Sequence, residues 1–306
     1  MKAAKPTSIQ RPVQILHPSP PRVIMAETKE RLRMISYLVP SIPVELFELL
    51  LEYLEGVTGR QGYLIYESRW TGPPQQRVDP FTSNEVDIGL MSSTDYLRLV
   101  SNQNKHISLC EAGAVFNHTK NTERPVYFAD VIIHARNKLK YKDMHDLRGH
   151  SLGFAGSKSI SSCLAVLDYL KKQGFDVSFF GSTFECGSHI GLINSVLANR
   201  VDVASVDSNA LFNFLKTNPS HKDDLQVITS FGPLPTYPIV LNSRMPDALK
   251  TQITQGLLDM AKDSNWRKRL EEFNINGFVP IDSSLYVIET DLASNIGKLK
   301  MNATYY

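Results

Sequence analysis

Short, mostly apolar runs alternate along this chain with stretches whose apolar residues recur every three or four positions. The runs Arg33-Met-Ile-Ser-Tyr-Leu38, Tyr63-Leu-Ile-Tyr66, Val86-Asp-Ile-Gly-Leu-Met91 and Ser151-Leu-Gly-Phe-Ala155 predict strands. Helical spacing predicts one helix over 44–54, closed by Gly56, and another over 163–173, with Leu164, Leu167 and Leu170 on one face and Gly174 as the stop. A further helix is predicted over 190–198, then a short strand over 201–206. Strands and helices alternating through short connections indicate an α/β fold with a largely parallel sheet.

Two longer apolar runs, 126–133 and 227–241, are predicted as strands that leave a first lobe and return to it. Gly232-Pro-Leu-Pro235 marks a second hinge region. The predicted organisation is lobe 1 from 31–128 and 232–306, with lobe 2, residues 129–231, inserted. Two helices are predicted within 247–272 and a last helical segment over 283–301. Residues 1–30 are expected to form a disordered, basic, Pro-rich extension.

Candidate chemistry gathers at the ends of these elements. Ser157-Lys-Ser-Ile-Ser-Ser162 stands before a helix, so Ser159, Ser161 and Ser162 lie where backbone N–H groups are free and the helix end is partly positive. Serine at such a place is first of all a cap, but four hydroxyls in six residues exceed what capping needs and suit an anion. Lys158 invites a phosphate-loop reading, which fails because Leu152 and Ser157 stand where that motif requires glycines. His189 also opens a helix, and Asp207 ends a strand, where ligands of open α/β sheets bind. Asp207 is either a cap for the following helix or a partner for a cationic part of the ligand, which would favour zwitterions over bare phosphate. From the first lobe, Tyr37, Ser92, Ser93 and Tyr127 lie near predicted strand ends or the crossing. Trp70, between Arg69 and Pro73-Pro74, either covers the cleft mouth or packs its own loop.

Asp146-Leu-Arg-Gly149, Phe154-Ala155, the Ser159–Ser162 helix start, Phe179-Phe180, Gly187-Ser-His189 and the segment from Val201-Asp202 to Val206-Asp207-Ser208 follow one order and spacing. Together they resemble the phosphate/phosphite/phosphonate substrate-binding proteins of bacterial ABC transporters, over roughly Met34 to Leu285. The resemblance implies a type II periplasmic-binding-protein fold: two α/β lobes, two crossover strands and one ligand in the central cleft. It also implies that His189 is a cleft residue. Two departures stand out. The family's helix start typically reads Ser-Thr-Ser-Gly, where this chain has Ser159-Ile160-Ser161-Ser162, and Ile190 follows His189 in place of a polar residue.

Composition narrows the partners. The chain has 306 residues, 42% hydrophobic, enough for a sizeable core. Its 33 basic and 31 acidic residues give net +2, which favours neither nucleic acid nor a membrane surface. No apolar run approaches the roughly 18 residues of a membrane span, so no membrane insertion is expected. Three cysteines without C-x-x-C spacing argue for a reducing compartment and against a zinc site. The first 24 residues carry four basic residues and five prolines but no apolar core of a signal peptide. The expected location is therefore cytoplasmic, with mitochondrial import as the alternative, and Met1 and Met25 both remain candidate starts.

The expected function is non-catalytic binding of a small phosphonate- or phosphate-like, or other anionic or zwitterionic, ligand between closing lobes, with no cofactor and no metal. A permease partner follows only if the protein is exported. Two other readings stay open: a scaffold that has lost its ligand and serves protein interaction, and a hydrolase using Ser161, His189 and Asp207. The hydrolase lacks a Gly-x-Ser-x-Gly elbow.

Overall fold

A computed structural model describes residues 31–39 and 42–302; the expectations for 1–30 lie outside the described residues. The chain runs β1 (Leu32–Ser36), α1 (Val44–Thr58), β2 (Gly62–Tyr66), β3 (Ile88–Leu90), α2 (Ser93–Ser101), β4 (Ile107–Leu109), β5 (Ala112–Phe116) and β6 (Val126–His134). It continues through β7 (Ser151–Phe154), α3 (Ala165–Lys172), β8 (Ser182–Glu185), α4 (His189–Leu197), β9 (Val203–Asp207), α5 (Ser208–Thr217) and β10 (Leu225–Pro235). It closes with β11 (Ile239–Asn242), α6 (Asp247–Met260), α7 (Ser264–Glu271), β12 (Ile275–Pro280) and α8 (Val287–Ile296).

Two five-stranded sheets result, ordered β2-β1-β3-β11-β4 and β10-β6-β9-β7-β8, with β12 and β5 paired apart from both. Each sheet is mixed rather than largely parallel. β1, β2 and β3 are mutually parallel, but β11 enters antiparallel to both β3 and β4. In the second sheet β7, β8 and β9 are parallel, while the crossing strands β6 and β10 run against their neighbours. The cause is the crossing itself: a strand that arrives from the other lobe enters its new sheet from the opposite end. The predicted return strand also breaks in two, β10 and β11, on either side of Thr236-Tyr237-Pro238. In β10 the register shifts between Phe231 and Leu234, where Gly232 takes φ +133°, a conformation L side chains avoid.

The first helix overruns its predicted stop. Gly56 lies inside α1, and Gly59, at φ +66°, caps it through an N–H donated to Glu55 O at 2.8 Å. The apolar face of α1 then packs Leu46, Phe47, Leu50 and Leu54 into the core of the first lobe.

The C-terminal residues depart from the predicted organisation. Residues 232–306 were expected in the first lobe, yet α8 and the tail cross to the second. Ile296 and Met301 are buried with Leu167, Leu170 and Phe180, Lys171 Nζ donates to Ile296 O at 3.5 Å, and Thr183 Oγ1 donates to Asn302 O at 2.5 Å. The energetic reason is burial: Ile296 and Met301 pack into the second-lobe core with Leu167, Leu170 and Phe180, removing apolar surface from water. Three segments, not two, therefore join the lobes.

Candidate functional site

Between the sheets lies a cleft of about 710 Å³, lined from both lobes. Three helix starts define its polar walls, and each uses serine in the same way. Ser92 caps α2 and accepts from Asp95 N at 3.1 Å; Ser159 caps the segment entering α3 and accepts from Ser162 N at 3.3 Å; Ser188 caps α4 and accepts from Gly191 N at 3.0 Å. The Ser159 segment begins as one turn of π-helix, Ile160–Leu164. With the third N–H of each start taken by its cap, the N–H groups of Ser93, Thr94, Ile160, Ser161, His189 and Ile190 have no acceptor inside their own helices. All six residues line the cavity. Their dipoles and the helix ends favour negative charge.

His189 is buried, and burial pushes its imidazole down to about 4, so it is neutral near pH 7. Its Nδ1 accepts the backbone N–H of Asp207 at 3.1 Å. That bond fixes the tautomer: the proton sits on Nε2, which is left to donate. Tyr127 and Tyr237 form the floor, stacked with ring centroids 5.1 Å apart. The Tyr127 hydroxyl is bonded to Ser161, and burial raises its pKa well above 10, so it remains neutral.

Six of the nine residues expected at the site line the cleft: Ser92, Ser93, Tyr127, Ser159, Ser161 and His189. Three do not. Tyr37 is buried behind the first-lobe wall, within electrostatic reach of Asp79 and Asp95, and its neighbour Leu38 reaches the cleft instead. Ser162 turns inward and accepts from Ala155 N at 3.0 Å, tying the end of β7 to the helix start. Asp207 is wholly buried. Its Oδ1 caps α5 by accepting from Asn209 N at 2.8 Å and Ala210 N at 3.3 Å, while Oδ2 accepts from Tyr237 Oη. Burial nonetheless lifts its carboxyl to about 7. It is therefore a cap and an anchor between lobes, and the expected pairing with a cationic ligand tail loses its residue. The Ser161–His189–Asp207 relay does not form either, because His189 meets the backbone of Asp207 and Ser161 is bonded to Tyr127.

Several lining residues were not singled out from the sequence. Thr94 and Ser188 belong to cap patterns identical to that at Ser159, which was the available signal. Asp95 and Arg98 carry charge on the first-lobe wall but satisfy each other: Arg98 Nη2 lies 2.9 Å from Asp95 Oδ1, and Thr71 Oγ1 and Ser92 Oγ donate to Asp95 Oδ2 at 2.7 and 2.8 Å. Lys158 is the one ionised side chain lining the second-lobe wall among the described residues. Glu289 of α8 lies behind the first wall, hydrogen-bonded to Ser93, and burial raises its carboxyl to about 8. Among the described residues no group of three His, Cys, Asp or Glu could hold a metal ion, and no helix is long and apolar enough to cross a membrane.

Residues 33–286 match the family model described as ABC transporter, phosphonate, periplasmic substrate-binding protein. Among solved structures, a binding protein component of an ABC phosphonate transporter from Pseudomonas aeruginosa aligns with TM-score 0.67 and 19% identity, over 87% of this chain and 86% of that one. PhnD1 from Prochlorococcus marinus, in complex with methylphosphonate, aligns with TM-score 0.64 and 15% identity over 88% and 99%. A Xanthomonas citri protein bound to ATP aligns with TM-score 0.61 and 16% identity over 87% and 96%. No curated protein sequence matches this chain.

Proposed function

The chain belongs to the phosphonate substrate-binding family of ABC transporters, with the two-lobe fold of type II periplasmic binding proteins, and from that premise we propose that its cleft holds one small phosphonate- or phosphate-like anion. Proteins of this family bind and are not enzymes. The observation that carries the proposal is the convergence of three serine-capped helix starts on one cavity, with six N–H groups free of intrahelical partners. Neutral His189 adds an Nε2–H donor and Lys158 adds positive charge. Three or four charge-assisted hydrogen bonds at ~1.5–3 kcal/mol each, less the ordering cost of association, suffice for the ~8 kcal/mol of a micromolar complex. With Asp207 turned inward, a simple anion fits the walls better than a zwitterion.

The lobes close on the ligand by bending at β6 and at the Pro235–Tyr237 segment, since these pass between the sheets beneath the cleft. The partner is a transporter permease if the protein reaches one. Its three unpaired cysteines, two of them buried, suit a reducing compartment, the cytoplasm, which fractionation with a thiol-labelling reagent would check. The function itself is tested by calorimetry with phosphate, methylphosphonate and sulfate, beside solution scattering to follow closure. Binding with a smaller radius of gyration supports the reading. A protein that binds none of these anions and instead captures a macromolecular partner through the cleft mouth would replace it with the interaction-scaffold reading.

A further inference from the structure

A phosphonate head engages helix starts and a histidine, yet much of the cleft is neither polar nor charged. Leu38, Ile42, Trp70 and Pro73 line it from the first lobe, and Ile160 and Ile190 from the second. Three of these are unusually open for large apolar side chains: Leu38 is 47% exposed, Trp70 41% and Ile190 40%. Apolar surface left in water costs free energy, and its concentration in one polar-rimmed cavity marks a contact surface rather than scattered exposure. A cavity of about 710 Å³ also falls within the ~300–1,000 Å³ of sites that enclose drug-sized ligands, far beyond the needs of a phosphate group alone.

The apolar wall is held in place. Leu38 N donates to Trp70 O at 2.7 Å and Ser92 N donates to Thr71 O at 2.7 Å, so the Trp70 loop is fastened to the end of β1 and to the cap of α2. Pro73 O accepts from Arg98, fixing the far side of the loop. Gly72 lets the loop lie directly on α2, since a Cβ there would come within 2.4 Å of Asp95 Cβ. An indole presented this way loses little freedom on contact, which is what a stacking surface requires.

We infer that the occupant carries, attached to its anionic group, a planar apolar body of at least one ring, seated against Trp70 of the first lobe and Ile190 of the second. This rests on the anion reading above, which supplies the head group. The anion end is held by the second-lobe helix starts, and the ring fills the apolar part of the cleft that a methyl group would leave in contact with water.

The test compares phenylphosphonate with methylphosphonate by calorimetry, on the full chain and on Trp70→Ala. Phenylphosphonate is expected to bind at least tenfold more tightly to the unmodified protein. Trp70→Ala should bring the two within threefold, with the larger loss falling on phenylphosphonate. A second readout uses a Trp266→Phe background, which leaves Trp70 as the one indole; its emission should shift with phenylphosphonate and not with methylphosphonate. Equal affinities, or a preference that survives Trp70→Ala, overturn this inference and leave the anion reading standing. If neither phosphonate binds at millimolar concentration, the anion reading falls and this inference falls with it.

Discussion

The two walls of the cleft are built alike and charged differently. Both present serine-capped helix starts, yet in the first lobe the charges beside Ser92 cancel: Asp95 accepts from Arg98, Thr71 and the cap itself. Among the described residues no carboxylate lines the second-lobe wall, and Lys158 and neutral His189 stand beside Ser159 and Ser188. The same local motif is thus neutral and self-contained on one side and open to an anion on the other. On the proposed function, the charge beside the second-lobe helix starts makes that wall the stronger hold on an anion, whereas the first lobe adds its own helix start and supplies shape through Trp70 and its loop.

Placing a carboxylate in each wall breaks that comparison most forcefully. Aspartate caps helices as well as serine, so Ser159→Asp should leave the melting temperature nearly unchanged, whereas Ser92→Asp loses the hydrogen bond to Asp95, sets two carboxylates side by side and should lower it. Two like charges 4 Å apart at an effective dielectric of 20 repel by roughly 4 kcal/mol. Ser159→Asp is therefore expected to weaken phosphonate binding by about 100-fold or more, and Ser92→Asp, already beside Asp95, by about tenfold or less. Equal losses by calorimetry would mean that the walls share the anion.

His189→Ala should weaken binding about tenfold through loss of the Nε2–H donor. It also strips the buried Asp207 N–H of its acceptor, so chemical denaturation should show a loss of ~1–3 kcal/mol in stability. Asp207→Ala separates the neighbouring residue from the ligand. It removes a cap and the acceptor of the Tyr237 hydroxyl, at a cost of ~2 kcal/mol, while the dissociation constant should change less than threefold. A large affinity change with little loss of stability would put Asp207 back in the cleft.

The smallest effect concerns pH. The folded carboxyl of Glu289 is raised to about 8 from an ordinary 4.5, so the folded state holds its proton more tightly than the unfolded chain. Its contribution to stability is complete below about 4.5 and is lost as pH rises through about 8. Glu289→Gln should therefore gain on the unmodified protein as pH rises from 5 to 9, measured as the difference in melting temperature. A difference independent of pH would place the Glu289 carboxyl in contact with solvent.

The contrast between His189 and Asp207 also shows how far sequence reasoning reached. Both stand where a strand delivers a polar residue to a helix start, and that pattern located both correctly along the chain. It could not tell which side chain faces outward, because the answer lies 30 residues away in Tyr237, whose hydroxyl holds Asp207 inward. Ser159, Ser161 and Ser162 divide for a similar reason: the π-turn sends the last hydroxyl back to Ala155. Alternation of strands and helices made the lobes legible, but β5 and β12 escaped notice, being partners some 160 residues apart with Gly277 and Pro280 inside the second. The crossing of α8 escaped too. Its helix buries only Glu289 and Ile296, too narrow a stripe to show which lobe it joins.

The most direct test of the division between the walls is a crystal structure of the protein with the tightest-binding phosphonate. The phosphonate oxygens should lie within hydrogen-bond distance of the Ile160 and Ser161 N–H groups and of His189 Nε2. An anion seated instead on Arg98 of the first lobe, with the second-lobe helix starts left to water, would contradict it.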